Sequence, residues 1–281
     1  MNERVAMITG CSSGIGLLTA VEMARGGWKV VATMRNPAGS GRLVDAAKEA
    51  GVAEKIDVRK VDVCDHGCLE PLVAEVVRDY GRVDALINNA GYALGGFLED
   101  VKMEELRAQL ETNFFGQVAM TKAVLPVMRK QRSGHIIMVS SIAGRVANPV
   151  TGSYSSSKFA LEGFTESLRH ELRALGIKVV LVEPGAFETD IWEKNVKIAK
   201  ATQEGSPNAE RARRFSTVIK TKLKKGDARV VARLIRRVAE DPNPNLRYLV
   251  GRDAKVRYWS QRLIPWKVYE KLVAKVTEID A

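Results

Sequence analysis

Tyr154 and Lys158 form the pair of residues in this sequence that is best suited to move a proton. Four residues apart on a helix, a phenol and an ammonium lie on the same face. A neighbouring cation stabilises a phenolate, so we expect Lys158 to lower the pKa of Tyr154 from its ordinary value of about 10. Ser140 and Ser141 stand shortly before this pair, where an apolar run ends. The set predicts an acid/base centre that works near neutral pH.

A glycine-rich segment near the start of the chain has the composition of a phosphate-binding turn. It lies between the apolar run Val5–Thr9 and a helical pattern, which is the context that a dinucleotide-binding turn requires. Small residues let the main chain approach a pyrophosphate, and a helix N-terminus offers free N–H groups. The candidate cofactor-binding residues here are Gly10, Ser12, Ser13, Gly14, Ile15 and Gly16.

Arg35 bears on which dinucleotide would bind. Enzymes that use NAD place an acidic residue about 20 residues after the glycines, where it binds the ribose 2′-hydroxyl. Here the second apolar run ends in Thr33, Met34 and Arg35, and a guanidinium can bind a 2′-phosphate instead. The sequence therefore favours NADP(H). The alternative is that Arg35 is an ordinary basic residue at a surface turn.

Alternating patterns predict an α/β fold with seven parallel strands and helices on both faces of the sheet. The strand-like runs are Val5–Thr9, Lys29–Thr33, Ile56–Val61, Val83–Ile87, His135–Ser140, Ile177–Glu183 and Arg247–Val250. The helical patterns include Ile15–Arg25, Cys68–Tyr80, Met103–Arg129 and Tyr154–Leu175. Ligands bind at the carboxyl ends of such strands. Further candidates at these ends are Asp62, Val63, Asn89, Ala90 and Gly91.

We expect one domain over residues 1–281, because the chain is rich in apolar residues and contains no linker-like segment. Residues 187–225 are too long for an ordinary connection and predict a substrate lid. Residues 252–281 form a C-terminal extension in which aromatic and basic residues alternate. It could contact a membrane surface or pack on the domain or a neighbouring subunit.

The excess of positive charge is confined to one segment. Residues 194–237 carry 14 Lys/Arg against 3 Asp/Glu, and the rest of the chain is balanced. This charge would suit an anionic substrate, carrier or lipid, or it is simply solvated. No nucleic-acid motif accompanies it, so we expect no nucleic-acid partner.

The cysteines and the apolar runs bear on location. Three cysteines suit a reducing compartment, and Cys64, His66 and Cys68 lack the spacing of a zinc site, so we expect no metal. Without a leader or an apolar run long enough to cross a membrane, the sequence predicts a cytoplasmic protein.

Several separate motifs together resemble the short-chain dehydrogenase/reductase family, over Val5 to Thr189 and on to about Gly251. These motifs are Thr9–Gly16, Asn88–Gly91, Asn113, Ser141, Tyr154, Lys158 and Pro184-Gly185. The resemblance implies a Rossmann-type fold, a carbonyl/alcohol oxidoreductase and a homodimer or homotetramer. It is strongest to the NADP-preferring hydroxysteroid and retinol dehydrogenase branch, although Ser13 stands where NADP-specific members often carry a basic residue.

The resemblance also implies a role for each matched residue. Tyr154 would protonate the carbonyl oxygen, and Ser141 would polarise it. Lys158 would lower the pKa of Tyr154 and hold the nicotinamide ribose. Asn113 would anchor a water that links Lys158 to solvent. The remaining cofactor contacts would come from Pro184, Gly185 and Thr189.

The sequence leaves the substrate open. Apolar residues near the crevice predict an apolar ketone or aldehyde, or the matching alcohol, with Ser141 and Tyr154 at the reacting oxygen. The predicted wall comprises Tyr92, Leu94, Val146, Pro149, Phe187, Ile191 and Trp192. The alternatives are a 3-oxoacyl-carrier or CoA reductase that uses the basic lid, and a regulator that binds NADP(H) without catalysis.

Overall fold

A computed structural model describes residues 3–189, 196–203, 205–222 and 224–278. Seven parallel strands form the main sheet in the order β3-β2-β1-β4-β6-β7-β9, and β5 pairs with β8 in a second, two-stranded ladder. The strands are β1 (Val5–Thr9), β2 (Lys29–Met34), β3 (Ile56–Lys60), β4 (Ala85–Asn88), β5 (Ala93–Gly95), β6 (Gly134–Val139), β7 (Ile177–Pro184), β8 (Val196–Ile198) and β9 (Arg247–Val250). The predicted seven-stranded parallel sheet is confirmed.

Helices cover both faces of this sheet. They are α1 (Gly14–Arg25), α2 (Gly41–Glu49), α3 (Leu69–Tyr80), α4 (Met103–Leu110), α5 (Gly116–Gln131), α6 (Gly152–Leu172), α7 (Lys200–Gln203), α8 (Ala209–Lys222), α9 (Arg229–Glu240), α10 (Arg252–Leu263) and α11 (Trp266–Thr277). One core lies between the sheet and α1, α2 and α9, and the other lies between the sheet and α3, α5 and α6. Because both faces are covered, β1 and β4 are buried at every position.

The strand order creates a crevice between β1 and β4. From β1 the chain proceeds outward through β2 to β3, and it then crosses back to β4 on the other side of β1. Consecutive loops therefore leave the carboxyl ends of β1 and β4 in opposite directions. An open α/β sheet binds its ligands at such a switch point.

The predicted helix Met103–Arg129 contains a π-helical turn, Glu111–Phe115, between α4 and α5. The hydrophobic pattern indicated a continuous helix, and the described chain is helical throughout this stretch. The π turn accommodates an extra residue and re-aims the side chains within it, which is common at functional sites. It carries Asn113, which the structure buries completely.

The first residue of the segment predicted to be a lid pairs with the residue that follows the segment. Phe187 bridges Gly226, and Gly226 N donates to Ala186 O. Within the segment, Thr202 Oγ1 and Ser206 Oγ donate to the two carboxylate oxygens of Asp100, at 2.9 and 2.7 Å. These contacts and the β5–β8 ladder attach the described parts of the segment to the domain.

The C-terminal extension forms α10 and α11, which pack on the loop after β6. Ala254 of α10 and Tyr269 of α11 are buried against Ile142 and Val146. Among the described residues, the structure contains no helix that is both long and apolar enough to cross a membrane.

Candidate active site

A cavity of about 590 Å³ opens at the carboxyl ends of the strands, at the switch point. The sequence-predicted residues that line it are Gly10, Ser12, Ser13, Gly14, Ile15, Arg35, Asp62, Val63, Asn89, Ala90, Gly91, Ser141, Tyr154, Lys158, Pro184, Gly185, Phe187 and Thr189. Gly16, Asn113 and Val146 do not line it. Ile191 and Trp192 lie outside the described residues.

Two glycines of the first turn permit close approach of neighbouring backbone. Gly10 has a φ of 74°, and a Cβ there would lie 2.9 Å from Ala90 Cα. A Cβ on Gly16 would lie 2.3 Å from Gly10 O and 2.5 Å from Asn89 Nδ2. Gly16 therefore brings α1 against the turn, and it shapes the cavity without lining it.

The N-terminus of α1 faces the cavity and suits an anion. The first turn of α1 contains no acidic residue. The first N–H groups of a helix have no partner within the helix, and its dipole is positive at this end. A dinucleotide pyrophosphate fits this surface, because Gly14 lines the cavity without a side chain and the helix end has the right sign of charge.

Asn89 ties the ends of β1 and β4 together at the base of the cavity. Its Nδ2 donates to Thr9 O at 2.9 Å and to Gly10 O at 3.1 Å, and its main-chain N donates to Thr9 Oγ1 at 3.0 Å. Asn89 therefore holds the glycine turn in position in addition to lining the cavity.

Arg35 and Asp62 lie at the same edge of the cavity, after β2 and β3. The Asp62 carboxylate accepts a hydrogen bond from Cys64 N at 3.0 Å, which stabilises its turn. Arg35 is exposed and lines the cavity where no carboxylate follows β2. The positive charge that the sequence placed at this strand end is thus available to a ligand.

Tyr154 is buried in the cavity wall, and burial raises its pKa to about 12. A hydrogen bond with the Ser141 hydroxyl acts in the opposite direction, because it stabilises the phenolate. The pKa of Tyr154 is therefore raised overall, so the expectation that it falls below its ordinary value is wrong for the chain as the structure describes it. Spacing along the helix indicated proximity, but it did not reveal that burial disfavours the charged phenolate.

Lys158 is also buried, and its ammonium donates to Val139 O at 2.8 Å. Its Nζ lies 5.8 Å from the centre of the Tyr154 ring. Burial lowers the pKa of Lys158 to about 8, although the carboxylate of Glu162 opposes the shift. The amine therefore titrates close to physiological pH.

Asn113 makes three hydrogen bonds in the interior. Its Oδ1 accepts from Tyr92 N, and its Nδ2 donates to Tyr92 O and to Ser157 Oγ, at 3.0, 3.0 and 3.1 Å. It thereby joins the segment after β4 to the residue next to Lys158. The role of Asn113 in holding a water stays a prediction.

A buried ionic cluster lies behind Lys158, and sequence reasoning missed it. Glu162, one turn after Lys158, and Glu183 of β7 both face the guanidinium of Arg145, at 3.7 and 3.4 Å. Arg247 of β9 contacts both carboxylates at 3.2 and 3.4 Å. Burial, and then the nearby Glu162, raise the pKa of Glu183 to about 8.

Lys197 is a second residue that sequence reasoning missed. It lines the cavity, and its ammonium lies 4.4 Å from the centre of the Tyr92 ring. The pairing of β5 with β8 brings it there. Each of these strands has three residues, which is too short to produce a recognisable pattern in the sequence.

The predicted substrate wall is only partly present. Phe187 and Tyr92 line the cavity. Val146 does not, because the C-terminal extension covers it: its side chain is fully buried against Ala254 and Tyr269. The sequence placed Val146 near the crevice without showing that the extension packs over this loop.

The described residues include no group of three His, Cys, Asp or Glu that could hold a metal ion. Cys64 Sγ instead lies 3.3 Å from Thr112 Oγ1, and Cys68 Sγ contacts Asp62 O at 3.7 Å.

The sequence is similar to a family and to several named relatives. Residues 4–199 match the short chain dehydrogenase family. "Uncharacterized oxidoreductase YusZ" of Bacillus subtilis is 40% identical over 98% of this chain and 99% of its own length. "3-ketodihydrosphingosine reductase" of Bacteroides thetaiotaomicron is 38% identical over 89% of each chain. "Retinol dehydrogenase 8" of Bos taurus is 43% identical over 68% of this chain and 61% of its own.

Solved structures share the fold. A short-chain dehydrogenase from Streptomyces avermitilis is 30% identical, covers 100% of this chain with 97% of its own, and superposes with a TM-score of 0.82. ElxO with NADP bound is 27% identical, with a TM-score of 0.73 over 88% of this chain and 96% of its own. A short chain dehydrogenase/reductase from Burkholderia phymatum in complex with NAD is 27% identical, with a TM-score of 0.75 over 88% of this chain and 89% of its own.

The fold, the cavity and these similarities define a nucleotide-binding oxidoreductase that acts on CH–OH groups. The chain belongs to the short-chain dehydrogenase/reductase family.

Proposed function

We propose that this chain uses NADP(H) to interconvert a carbonyl group and an alcohol on an apolar substrate, with Tyr154 as the acid and base. The observation that carries the proposal is that one cavity contains the hydrogen-bonded hydroxyls of Tyr154 and Ser141, the ammonium of Lys158 and a glycine turn suited to phosphate. Three groups that can move or stabilise a proton thus share a cavity with a cofactor surface.

The residues that would hold the cofactor follow from the shape and charge of the cavity. The start of α1 would bind the pyrophosphate, and Arg35 would bind a ribose 2′-phosphate. Asp62 offers an acceptor to the adenine amine. Pro184, Gly185 and Thr189 would contact the carboxamide. When bound, the nicotinamide supplies a hydride for reduction or accepts one in oxidation.

In reduction, the Tyr154 hydroxyl gives its proton to the carbonyl oxygen, which gains a hydrogen as the carbonyl carbon receives hydride. The phenolate that remains is stabilised by the Ser141 hydroxyl and by the charge of Lys158. In oxidation, the phenolate removes the proton of the alcohol. A raised pKa keeps Tyr154 protonated at neutral pH, which favours its use as an acid.

The substrate side of the cavity supports an apolar substrate, because Phe187 and Tyr92 line it. The names of two relatives point the same way, since retinol and 3-ketodihydrosphingosine are both largely hydrocarbon. We therefore place the chain nearest to the hydroxysteroid and retinol dehydrogenase branch. Lys197 adds one cation to the cavity, so a substrate that carries an anionic group belongs in the tests.

We further propose that residues 1–281 form a single domain, in which residues 187–225 act as the substrate lid and residues 252–281 as an appended extension. Copies of the chain would pair through the long helices α5 and α6 to form a homodimer or homotetramer. Phe115, just before α5, and Phe159 of α6 are each 46% exposed, which supports such pairing.

The proposal is tested by following NADPH and NADH oxidation with steroids, retinoids, long-chain ketones, simple ketones and 3-oxoacyl thioesters. We expect turnover with an apolar ketone or aldehyde and a preference for NADPH. Turnover confined to 3-oxoacyl thioesters would show that the chain is a 3-oxoacyl reductase and does not act on apolar ketones or aldehydes. Tight NADPH binding without turnover on any substrate would overturn the proposal.

A further inference from the structure

The last two helices, α10 and α11, carry most of the exposed apolar surface of the described chain. Seven of the thirteen large apolar side chains that are exposed among the described residues belong to them. Leu263 is 76% exposed and Trp266 is 62% exposed. So much exposed apolar surface in a single short region marks an interaction site.

Helix α10 directs its apolar side outward. Val256, Trp259 and Leu263 are spaced by three and four residues, so they share one side of the helix. Ala254, on the opposite side, is fully buried. Arg262 is exposed and flanks the apolar side.

Helix α11 has three parallel rows of side chains, each with a spacing of four residues. The rows are Lys267, Lys271 and Lys275; Val268, Leu272 and Val276; and Tyr269, Val273 and Thr277. The third row faces the domain, the second is exposed, and the first is exposed beside the second. A strip of apolar side chains is thus bordered by lysines on one side and by the protein on the other. We call the exposed apolar residues of both helices, with Trp266 between them, the terminal patch.

We propose that the terminal patch docks this protein on an anionic lipid surface. Lysines beside an apolar strip can extend their ammonium groups to lipid headgroups while their stems lie along the apolar side chains. Tryptophan is enriched where hydrocarbon meets water, and two of the exposed residues are Trp259 and Trp266. Residues 252–278 carry seven basic and three acidic side chains, so their charge complements an anionic membrane.

The same charges disfavour a second copy of this chain as the occupant of the patch. A two-fold contact is made by the same surface on both subunits. Two lysine rows would then lie in one interface, where like charges repel each other. An anionic bilayer instead pairs every lysine of the row with opposite charge.

Helix α10 contacts the domain next to the cavity. Asp253 of α10 accepts a hydrogen bond from Ala186 N at 2.8 Å, next to the cavity residue Phe187. Arg145 Nη2 donates a hydrogen bond to the hydroxyl of Tyr258 at 3.2 Å. The first turn of α10 therefore lies beside a residue of the cavity wall. The docking itself does not depend on the proposed substrate or cofactor.

Co-sedimentation of the full chain with lipid vesicles tests this inference. We expect binding to vesicles of phosphatidylcholine mixed with phosphatidylglycerol, much weaker binding to phosphatidylcholine alone, and release as salt is raised. Replacing the lysine row by Lys267→Gln, Lys271→Gln and Lys275→Gln should weaken the binding roughly tenfold or more. Lys48→Gln, Lys60→Gln and Lys102→Gln remove the same charge from exposed sites elsewhere and should have little effect.

The apolar contribution is tested with serine substitutions inside and outside the terminal patch. Leu263→Ser with Trp266→Ser should also weaken binding roughly tenfold or more, whereas Leu98→Ser, at a residue that is 62% exposed elsewhere, should not. Circular dichroism checks that each variant is folded. Absence of vesicle binding, or equal loss in the control variants, would overturn the inference. The inference would also be overturned if the chain forms a dimer without lipid and the variant with Leu263→Ser and Trp266→Ser does not. That result would identify a second copy as the occupant of the patch.

Discussion

The Lys158 ammonium donates a hydrogen bond to the main-chain carbonyl oxygen of Val139, at 2.8 Å. Val139 is the last residue of β6, so this contact joins α6, which carries Tyr154, to the end of a central strand. It holds a buried amine beside Tyr154, and burial lowers the pKa of that amine to about 8.

Lys158 should make the free energy of unfolding rise with pH above about 8. Its pKa is about 8 in the folded chain and 10.5 at its ordinary value, so between these values the unfolded chain binds more protons. Below about pH 8 both states are charged, and this contribution to stability is at its lowest. Between pH 7 and pH 10, the free energy of unfolding of wild type should increase by roughly 1–3 kcal/mol relative to that of Lys158→Met.

Urea denaturation at the two pH values measures this difference, with Lys48→Met, at an exposed lysine of α2, as the control. The control should track wild type at both pH values. If wild type and Lys158→Met change in parallel, the amine is not held at a lowered pKa.

Gly16→Ala should destabilise the chain and weaken dinucleotide binding. The added Cβ would meet Gly10 O and Asn89 Nδ2. Neither atom can move easily, because the first belongs to the main chain and the second donates two hydrogen bonds. Overpacking of this kind costs about 2–3 kcal/mol, which lowers the Tm of a chain of this size by roughly 4–10 °C. Gly41→Ala is the control, because nothing lies near its added methyl group. Equal melting temperatures for the two variants would contradict the close approach of α1 to the turn.

The combined change Met34→Asp with Arg35→Ala should shift cofactor preference toward NADH. It removes the cation that would bind a 2′-phosphate and places a carboxylate where it would repel one. The ratio of kcat/KM for NADPH to that for NADH should fall roughly tenfold or more, since a hydrogen bond to a charged group is worth about 1.5–3 kcal/mol. Arg25→Ala, at the far end of α1, should leave the ratio unchanged. A ratio unchanged in the double variant would show that another residue reads the phosphate.

Arg145→Met should destabilise the buried cluster behind Lys158. It leaves the carboxyl groups of Glu162 and Glu183 with less compensating charge, which should cost roughly 2–3 kcal/mol. Adding Glu183→Gln removes one of the two acids, so the double variant should recover part of the loss. Denaturant unfolding measures Arg145→Met, Glu183→Gln and the double variant. A double variant as unstable as the sum of the single changes would show that the guanidinium does not act on these carboxyl groups.

The fold could be predicted because each local pattern in the sequence indicated either a buried strand or a helix. Buried parallel strands such as β1 and β6 are apolar at almost every position, and the helical spacings between them require crossovers. In a parallel sheet all strands end at the same edge, so the residues that follow the strands lie near one another. Gly10, Arg35 and Ser141, far apart in sequence, accordingly line one cavity.

What could not be predicted depends on contacts between distant segments. The pKa of Tyr154 is set by how completely the fold buries it, and spacing from Lys158 carries no information about burial. Val146 is covered because α10 and α11 pack over it, and Lys197 reaches the cavity through a ladder of three residues. None of these contacts leaves a periodic signal in the sequence.

The most direct measurement of the central claim compares wild type with Tyr154→Phe in both NADPH binding and turnover. The substitution removes one hydroxyl from a buried ring and leaves the glycine turn and Arg35 untouched. We predict that NADPH affinity, followed by nucleotide fluorescence, changes little while kcat falls by roughly 10²–10⁴-fold. A Tyr154→Phe variant that binds NADPH and turns over substrate at the wild-type rate would contradict the role of Tyr154 as the acid and base.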